Sequence, residues 1–296
     1  MSQLPAQALP ARTLTLPDGR RLGYARYGTD TGLPLVYLHG LPGSRLECQL
    51  IHPIALAAGI NVIAPDRPGY GQTEPRRDAS LLAWTTDVAA LADALGIGPF
   101  AVIGVSGGAP CALACAHALP GRVQRVGLVA GLGPVHEPAL RRDMRRSAQL
   151  VFHLANRLPR LFSAVVGTPV VELARRSPAL LIRLIAVLNG SPDRETLLDP
   201  ETLAAFTLSI RACFEQGSRG SLQDLQLFRR PWGFSLGEIR QPVQLWHGTR
   251  DRVVPLSHSR YLHAGLPRSE LEVVPGAGHF SLPLGHMQAI LAALIT

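Results

Sequence analysis

The 296-residue sequence has no lysine, few cysteines and no apolar run long enough to cross a membrane without a charge. Its four cysteines are too few for a disulfide-stapled scaffold, and we predict no integral membrane segment. Charged residues make up 17% and hydrophobic residues 47%, which excludes a mainly disordered chain, a coiled coil and a collagen-like repeat. The length fits one large domain, or a domain that carries an inserted subdomain.

All 29 basic residues are arginine, and the formal net charge is +8. A strongly basic chain is one signature of nucleic-acid binding. The arginines, however, are spread from Arg12 to Arg268, without an aromatic-interleaved stripe or a nucleic-acid motif. We therefore predict no nucleic-acid partner, and we expect the arginine cluster between Arg141 and Arg146 to form a solvated helix face.

Residues 1–11 lack a basic segment followed by an apolar one, so they do not resemble a secretory signal. We predict a short disordered tail over these residues and a cytoplasmic location, where thiols stay reduced. Cys111 and Cys115 lie four apart in an apolar helical stretch and are interpreted as buried small residues. No cluster has the spacing of a zinc site, so we predict no metal.

Short apolar runs alternate with helical stretches over residues 12–132 and again over residues 233–296. This alternation is typical of a parallel sheet covered by helices on both faces, an α/β fold. Residues 133–232 instead form helical blocks broken by prolines, which predicts an all-helical insertion, or cap. Strands are predicted at residues 12–16, 22–27, 35–38, 61–64, 100–103, 123–129, 243–246 and 271–274.

The sharpest motif is Gly104-Val105-Ser106-Gly107-Gly108, between a predicted strand and an apolar helix. A strand that turns sharply into a helix leaves no room for side chains two positions either side of the apex, which accounts for Gly104 and Gly108. Such a turn exposes the Ser106 hydroxyl, and the N–H groups that open the helix favour a negative oxygen beside it. With 29 glycines in the chain the motif is weak alone, so its context has to support it.

A serine hydroxyl reacts at neutral pH only with a base within hydrogen-bond reach and a group that orients that base. His279 follows the last predicted strand in a glycine-flanked loop, and Asp251 follows the strand before it. The chain order Ser, Asp, His is the order that this architecture imposes. We predict that Ser106 is the nucleophile, His279 the base and Asp251 the orienting acid, with Glu137 and Asp193 as competing acids.

A tight glycine-bearing turn, His39-Gly40-Leu41-Pro42-Gly43, follows the predicted strand at residues 35–38. An oxyanion hole needs two N–H donors beside the nucleophile. The backbone N–H groups of Leu41 and Gly107 are the predicted pair, because Pro42 has no N–H to donate. His39 is interpreted as a residue that holds this loop.

Five segments of the sequence carry a family resemblance: HGLPGS at 39–44, DRPGYGQT at 66–73, GVSGG at 104–108, HGTRDRVVP at 247–255 and GAGHF at 276–280. Together they resemble the α/β-hydrolase fold superfamily, in particular bacterial serine hydrolases with a helical cap. The resemblance implies an eight-stranded, mostly parallel sheet with the cap inserted after the sixth strand. It also implies a Ser106–Asp251–His279 triad and hydrolysis without a cofactor.

Ser106 argues against the dehalogenases and epoxide hydrolases of this fold, which use an aspartate nucleophile. Gly107 and Arg67 differ from the residues typical of prolyl aminopeptidases at those positions. Carbon–carbon bond hydrolases, cofactor-free perhydrolases and acyltransferases share the triad and stay open, as does a ligand receptor that hardly turns over.

The function favoured by the sequence is hydrolysis of a small apolar ester, thioester or lactone. The apolar preference rests on the Leu, Val, Ile and Phe content of residues 133–232. The predicted partner is therefore a small-molecule substrate. The same apolar residues leave a membrane-docking surface and a homodimer interface open, because periodicity does not distinguish them.

Overall fold

The computed structural model describes residues 12–295, so the predicted tail over residues 1–11 lies outside the described residues. Within that range, eight strands form one sheet in the order β1-β2-β4-β3-β5-β6-β7-β8. β2 runs antiparallel to β1 and β4, and the other neighbours are parallel. The predicted eight-stranded, mostly parallel sheet is confirmed. The strands are β1 Arg12–Thr15, β2 Arg21–Gly28, β3 Leu33–Leu38, β4 Ile60–Pro65, β5 Phe100–Val105, β6 Val123–Val129, β7 Val243–Gly248 and β8 Ser269–Val274.

Helices cover both faces of this sheet. Because side chains alternate along a strand, Val36 and Leu38 of β3 pack on one apolar cluster and Leu35 and Tyr37 on another. The first cluster contains residues of α2, α3 and α12, and the second contains residues of α1 and α13. These helices are α1 His52–Ala57, α2 Leu81–Ala94, α3 Ala109–Ala118, α12 Leu256–Gly265 and α13 Ser281–Ile295.

The segment between β6 and β7 is helical from Pro138 to Phe228 and is called the helical insertion below. Several of its prolines stand at the start of a helix, where the missing N–H costs no hydrogen bond. The division into core and cap at residues 133 and 232 stays a prediction. The helices are α4 Pro138–Asp143, α5 Arg146–Arg157, α6 Pro159–Phe162, α7 Thr168–Arg176, α8 Pro178–Asn189, α9 Asp193–Leu198, α10 Pro200–Cys213 and α11 Arg219–Phe228.

The helical insertion packs partly on itself and partly on the sheet layer. Ile182 and Ala186 of α8 lie in an apolar cluster with Ile210 of α10. Phe152 of α5 and Phe228 of α11 belong instead to the cluster beneath, which contains α2 and α3. Along residues 12–295, no helix has the length and apolar character needed to cross a membrane.

Candidate active site

Ser106 stands at the sharp turn that joins β5 to α3. Its φ angle is +53°, in the left-handed region that side chains rarely adopt. A Cβ on Gly104 would lie 2.7 Å from the carbonyl carbon of Gly108, and a Cβ on Gly108 would lie 2.8 Å from that of Leu38. Both glycines are therefore required by backbone packing, as the motif predicts.

The structure brings the three predicted triad side chains into one hydrogen-bonded chain. His279 Nε2 lies 3.0 Å from Ser106 Oγ, and His279 Nδ1 lies 2.7 Å from Asp251 Oδ2. Since an ionised carboxylate only accepts, Nδ1–H donates to Asp251 and Nε2 is left to accept from the serine hydroxyl. This is the tautomer that a general base needs.

Asp251 is held by its own loop. Its Oδ1 accepts hydrogen bonds from the N–H groups of Val253 and Val254, at 2.8 and 2.9 Å. Burial opposes its charge, but the charge and hydrogen bond of His279 outweigh burial and lower the pKa of Asp251. Asp251 therefore stays ionised beside the imidazole.

The pKa of His279 is shifted in the opposite direction. Burial alone would lower its pKa, but the charge and hydrogen bond of Asp251, with the charges of Asp193 and Glu47, raise the pKa of His279 above its ordinary value. A raised pKa makes the imidazole a better proton acceptor, at the cost of being protonated over more of the acidic range.

The two competing acids lie elsewhere. Glu137 is half-exposed beside His136, with a side-chain separation of 3.6 Å. Asp193 is buried, but its four hydrogen bonds run to the backbone of residues 279–281 and to the Ser281 hydroxyl. Asp251 is the carboxylate that the structure places against Nδ1.

The two predicted oxyanion donors lie on touching segments. A Cβ on Gly107 would be 2.8 Å from Leu41 Cβ and 3.4 Å from Leu41 N, so the two backbones are in contact beside Ser106. The Leu41–Pro42 peptide bond is cis. Leu41, Ser106 and Gly107 all line the same cavity.

The loop that contains Leu41 is held by hydrogen bonds to buried side chains. Its Gly40 N–H donates to Glu47 Oε2 at 3.1 Å, and the Tyr37 hydroxyl donates to Glu47 Oε1 at 2.8 Å. His39 accepts from the Arg67 N–H through Nε2 and donates to the Gly40 carbonyl through Nδ1. Burial lowers the pKa of His39 well below its ordinary value, so the ring is neutral and acts as a structural link.

The Arg67 side chain links this loop to the helical insertion. Its guanidinium donates to the carbonyls of His39 and Gly40. It also pairs with Asp224 of α11, with Nη2 and Oδ2 separated by 2.8 Å. Tyr70 donates its hydroxyl to the same carboxylate at 2.8 Å. The sequence around Arg67 does not predict this contact, because Asp224 lies 157 residues further along the chain.

A cavity of about 240 Å³ opens over Ser106. Its floor is formed by Leu41, Ser106 and Gly107, and its walls come largely from the helical insertion. The wall residues are apolar with few exceptions, and they include Met144, Val151, Phe152, Phe162, Val166 and Leu225. The volume is below the roughly 300–1,000 Å³ of sites for drug-sized ligands.

Three carboxylates around the site were missed or misassigned by the sequence analysis: Glu47, Asp193 and Asp224. Asp193 and Asp224 lie far in sequence from the groups they hold, whereas Glu47 lies seven residues from Gly40. All three stand in helical segments, where the sequence pattern does not mark them as functional. An acid on a helix can be identified as a supporting residue only when the structure shows that it is buried. Over residues 12–295, no group of His, Cys, Asp and Glu side chains is arranged to hold a metal ion.

Comparison with known proteins places this geometry in context. Residues 34–285 match the family model described as alpha/beta hydrolase fold. An uncharacterized protein of Mycobacterium tuberculosis is 30% identical over 261 residues, which cover 84% of this chain and 71% of that protein. The pimeloyl-[acyl-carrier protein] methyl ester esterase of Aromatoleum aromaticum is 29% identical over 83% of this chain and 90% of the esterase. An esterase structure from Exiguobacterium antarcticum has a TM-score of 0.69 at 18% identity, covering 96% of this chain and 97% of the esterase.

Proposed function

The chain belongs to the alpha/beta hydrolase fold family and is a hydrolase, and from this premise we propose that it is a serine hydrolase of small apolar carboxylic esters. The observation that supports this most directly is the hydrogen-bonded chain Ser106–His279–Asp251 on the floor of an apolar cavity. Ser106 is the proposed nucleophile, His279 the general base and Asp251 the residue that orients it.

In the proposed acylation step, Ser106 Oγ attacks the ester carbonyl carbon while its proton passes to His279 Nε2. The carbonyl oxygen becomes an oxyanion, which accepts hydrogen bonds from the N–H groups of Leu41 and Gly107. The C–O bond to the leaving alcohol then breaks, and the alkoxide takes the proton from Nε2. The acyl group is left on Oγ.

In deacylation, a water molecule gives a proton to His279 Nε2 and its oxygen attacks the acyl carbon. A second oxyanion forms at the same two N–H groups. The bond to Ser106 Oγ breaks, Oγ regains the proton, and the carboxylic acid leaves. Asp251 stays ionised throughout and stabilises the imidazolium that forms in each half-reaction.

The proposed substrate class is supported by the cavity. Its walls are apolar and its volume of about 240 Å³ suits a short acyl or small ring group. Charged acyl groups would lose hydration there without a partner. Thioesters and lactones present the same carbonyl and belong to the same proposal. A small-molecule partner, no nucleic-acid partner and a cytoplasmic location complete it.

The test combines a fluorophosphonate probe with the hydrolysis of p-nitrophenyl acetate and butyrate. We expect wild type and the exposed-serine control Ser147→Ala to be labelled and active, and Ser106→Ala to be neither. Hydrolysis by Ser106→Ala at the wild-type rate would overturn the proposal. A ligand that raises the melting temperature and returns unmodified would point to the receptor alternative.

Acyl transfer is separated from hydrolysis by the fate of the acyl-enzyme. Added methanol or hydrogen peroxide competes with water for the acyl group, and the product ratio measures the partition. A ratio that follows the acceptor concentrations indicates a hydrolase without acceptor preference. Product formed mainly with the acceptor, even when it is dilute, would assign the chain to transferases or perhydrolases instead.

A further inference from the structure

A carboxylate of the helical insertion is hydrogen-bonded to the loop that contains His279. Asp193, the first residue of α9, is 1% exposed. Its Oδ2 accepts from the N–H of His279 at 2.8 Å. Its Oδ1 accepts from the N–H groups of Phe280 and Ser281 and from the Ser281 hydroxyl, at 3.0, 2.9 and 3.0 Å.

These N–H groups stand where α13 begins. The first N–H groups of a helix have no partner inside it, and that end carries a partial positive charge. Here they are satisfied from 86 residues away, by a side chain of another structural layer rather than by a local capping residue. The start of α13 and the loop before it are therefore fixed relative to α9.

The close approach depends on Gly278. A Cβ at that position would collide with the Asp193 carboxylate. The glycine that precedes the histidine is thus needed for contact with the insertion, in addition to any freedom it gives the loop. The Asp193 carboxylate and Gly278 form one complementary pair across the boundary between insertion and sheet.

We propose that Asp193 is a positioning residue for His279, so that the helical insertion helps to set the triad geometry as well as covering the substrate. Asp251 fixes the imidazole through Nδ1, and Asp193 fixes the backbone from which the imidazole projects. A shift of that backbone would lengthen the 3.0 Å separation between Nε2 and Ser106 Oγ. The inference rests on the proposed function, because it assigns a role toward the proposed base.

Asp193→Asn keeps the size of the side chain but removes its charge and one acceptor oxygen. With p-nitrophenyl acetate we expect kcat to fall about 10- to 100-fold, the range that small misplacement of a catalytic group produces, while KM stays near the wild-type value. Asp193→Ala is expected to lose more. The matched control is Glu195→Gln, an exposed acid on the same helix.

A pH profile distinguishes positioning from a general loss of structure. The charged groups that face His279 are Asp251, Asp193 and Glu47, with His247 beside Asp251. Removing the charge of Asp193 removes one influence that raises the pKa of His279. The midpoint of the acidic limb of kcat/KM should therefore move to lower pH in Asp193→Asn and stay in place in Glu195→Gln.

Rates are referred to the active fraction, which fluorophosphonate titration counts. If Asp193→Asn lowers the melting temperature but leaves the rate per active site and the pH midpoint unchanged, Asp193 is structural and this inference is wrong. Ser106→Ala separates the two proposals. If it is inactive while Asp193→Asn behaves as wild type, the positioning role fails and the serine hydrolase stands.

A second inference comes from the outer surface of the helical insertion. Four residues of α8 lie on one exposed face with helical spacing and are called the α8 stripe: Leu180, Leu184, Val187 and Leu188, which are 47, 46, 63 and 69% exposed. The opposite face of α8, with Ile182 and Ala186, is buried. Helix α8 is therefore apolar on both sides, and within residues 12–295 the outer side has no covering segment.

The sequence segment that ends with α8 carries most of the net positive charge. Residues 138–189 contain nine arginines against two acids, which gives +7 of the chain's net +8. Arg183 lies within the exposed face of α8, and Arg145 donates to the Leu188 carbonyl at 3.1 Å. Leu150 of α5 and Leu161 of α6 are further exposed leucines of the insertion.

We infer that this face docks on an anionic lipid surface. Apolar side chains interleaved with arginine suit the boundary between anionic headgroups and acyl chains. The apolar side chains contact the acyl chains there, and the arginines pair with the headgroups. A homodimer through the same face is disfavoured, because a two-fold axis would bring the arginines of both copies together. The cavity walls come from the same helices, α5 and α6.

The test measures co-sedimentation of the full chain with vesicles. Binding is expected to vesicles of phosphatidylglycerol mixed with phosphatidylcholine, and to fall with pure phosphatidylcholine or high salt. The double variant Leu184→Ser, Leu188→Ser should lose most of the binding, and Arg183→Gln should lose about fivefold. Leu56→Ser, an exposed leucine outside the insertion, is the control, and unchanged melting temperatures show that each variant is folded.

Equal binding to both vesicle types, or none to either, would overturn this inference. So would a wild-type dimer by light scattering that the stripe variants convert to a monomer, because the face would then be a subunit interface. The outcome does not depend on the catalytic proposal, since neither Leu184 nor Leu188 lines the cavity.

Discussion

The sheet edge and the helical insertion contribute to the candidate site in different ways. At the sheet edge, backbone geometry presents the proposed nucleophile: the positive φ of Ser106 and the close packing of Gly104 and Gly108 fix the turn that carries it. The insertion contributes apolar walls and buried carboxylates, which act through other residues. The proposed reacting groups thus stand in local turns, whereas part of their support comes from long-range packing.

Each region therefore fails in its own way when a residue is changed. Loss of a group at the sheet edge should remove catalysis and leave the fold. Loss of a buried carboxylate of the insertion should weaken the fold, the alignment of the loops, or both. The variants below test that division.

The largest effect is expected for Asp251→Asn at the sheet edge. The amide can donate to Nδ1 and so favours the wrong imidazole tautomer, which in serine proteases costs about 10⁴-fold in kcat. The measurement is kcat for p-nitrophenyl acetate, with circular dichroism to show an unchanged fold. A loss below tenfold would mean that Asp251 is not the orienting acid.

The next effect is expected for Asp224→Ala in the insertion. It leaves the buried Arg67 guanidinium without its carboxylate, and removing one partner of a buried ion pair typically costs about 3–5 kcal/mol of folding free energy. Urea unfolding measures the change, and the exposed acid Glu201→Gln is the control. If Asp224→Ala changes neither the stability nor the activity, the division between the two regions is wrong.

A third effect is the pH dependence of kcat/KM. The proposed base must be neutral to act, and the pKa of His279 is raised above 6.5, so the rate should fall tenfold per pH unit below a midpoint above 6.5. Asp251→Asn removes the main raising influence, and burial then moves that midpoint to lower pH. A wild-type midpoint below 6.5 contradicts this assignment.

The raised pKa of His279 affects stability and activity in opposite directions as the pH changes. A folded pKa raised above the unfolded value contributes stability that is fully present below the unfolded pKa and is lost as pH rises through the folded pKa. His279 therefore favours folding most where it is least active. Unfolding free energies measured on both sides of the kinetic midpoint in wild type and His279→Gln would reveal this opposition.

The smallest effect is expected at the cavity wall. Val166 lines the cavity and Val165 is 54% exposed beside it. Val166→Ala should shift the preference between acetate and longer p-nitrophenyl esters severalfold toward longer chains, because one methylene in an apolar pocket is worth about 1–3 kcal/mol. Val165→Ala should leave the ratio unchanged. Equal ratios in both variants would place the acyl group elsewhere.

Much of the sheet could be predicted because its signals are local. The run at 123–129 matches β6, and the other strands differ from their predicted ends by a few residues. Helix α1 was not predicted, because six residues are too few to show a helical period. The order of the strands depends on pairing between distant segments and came from the resemblance to a family rather than from periodicity.

The residues proposed for catalysis stand in local motifs, since a strained turn needs glycines and each loop follows a strand, so the sequence by itself pointed to Ser106, His279 and Asp251. Only the tertiary structure decided which acid lies against the imidazole. Asp251 stands in a loop and Asp193 at the start of a helix, and neither position alone shows which carboxylate reaches His279. It also revealed that Asp193 and Asp224 hold loops from another layer. Burial and long-range hydrogen bonds create these roles, and neither can be predicted from the neighbouring residues in the sequence.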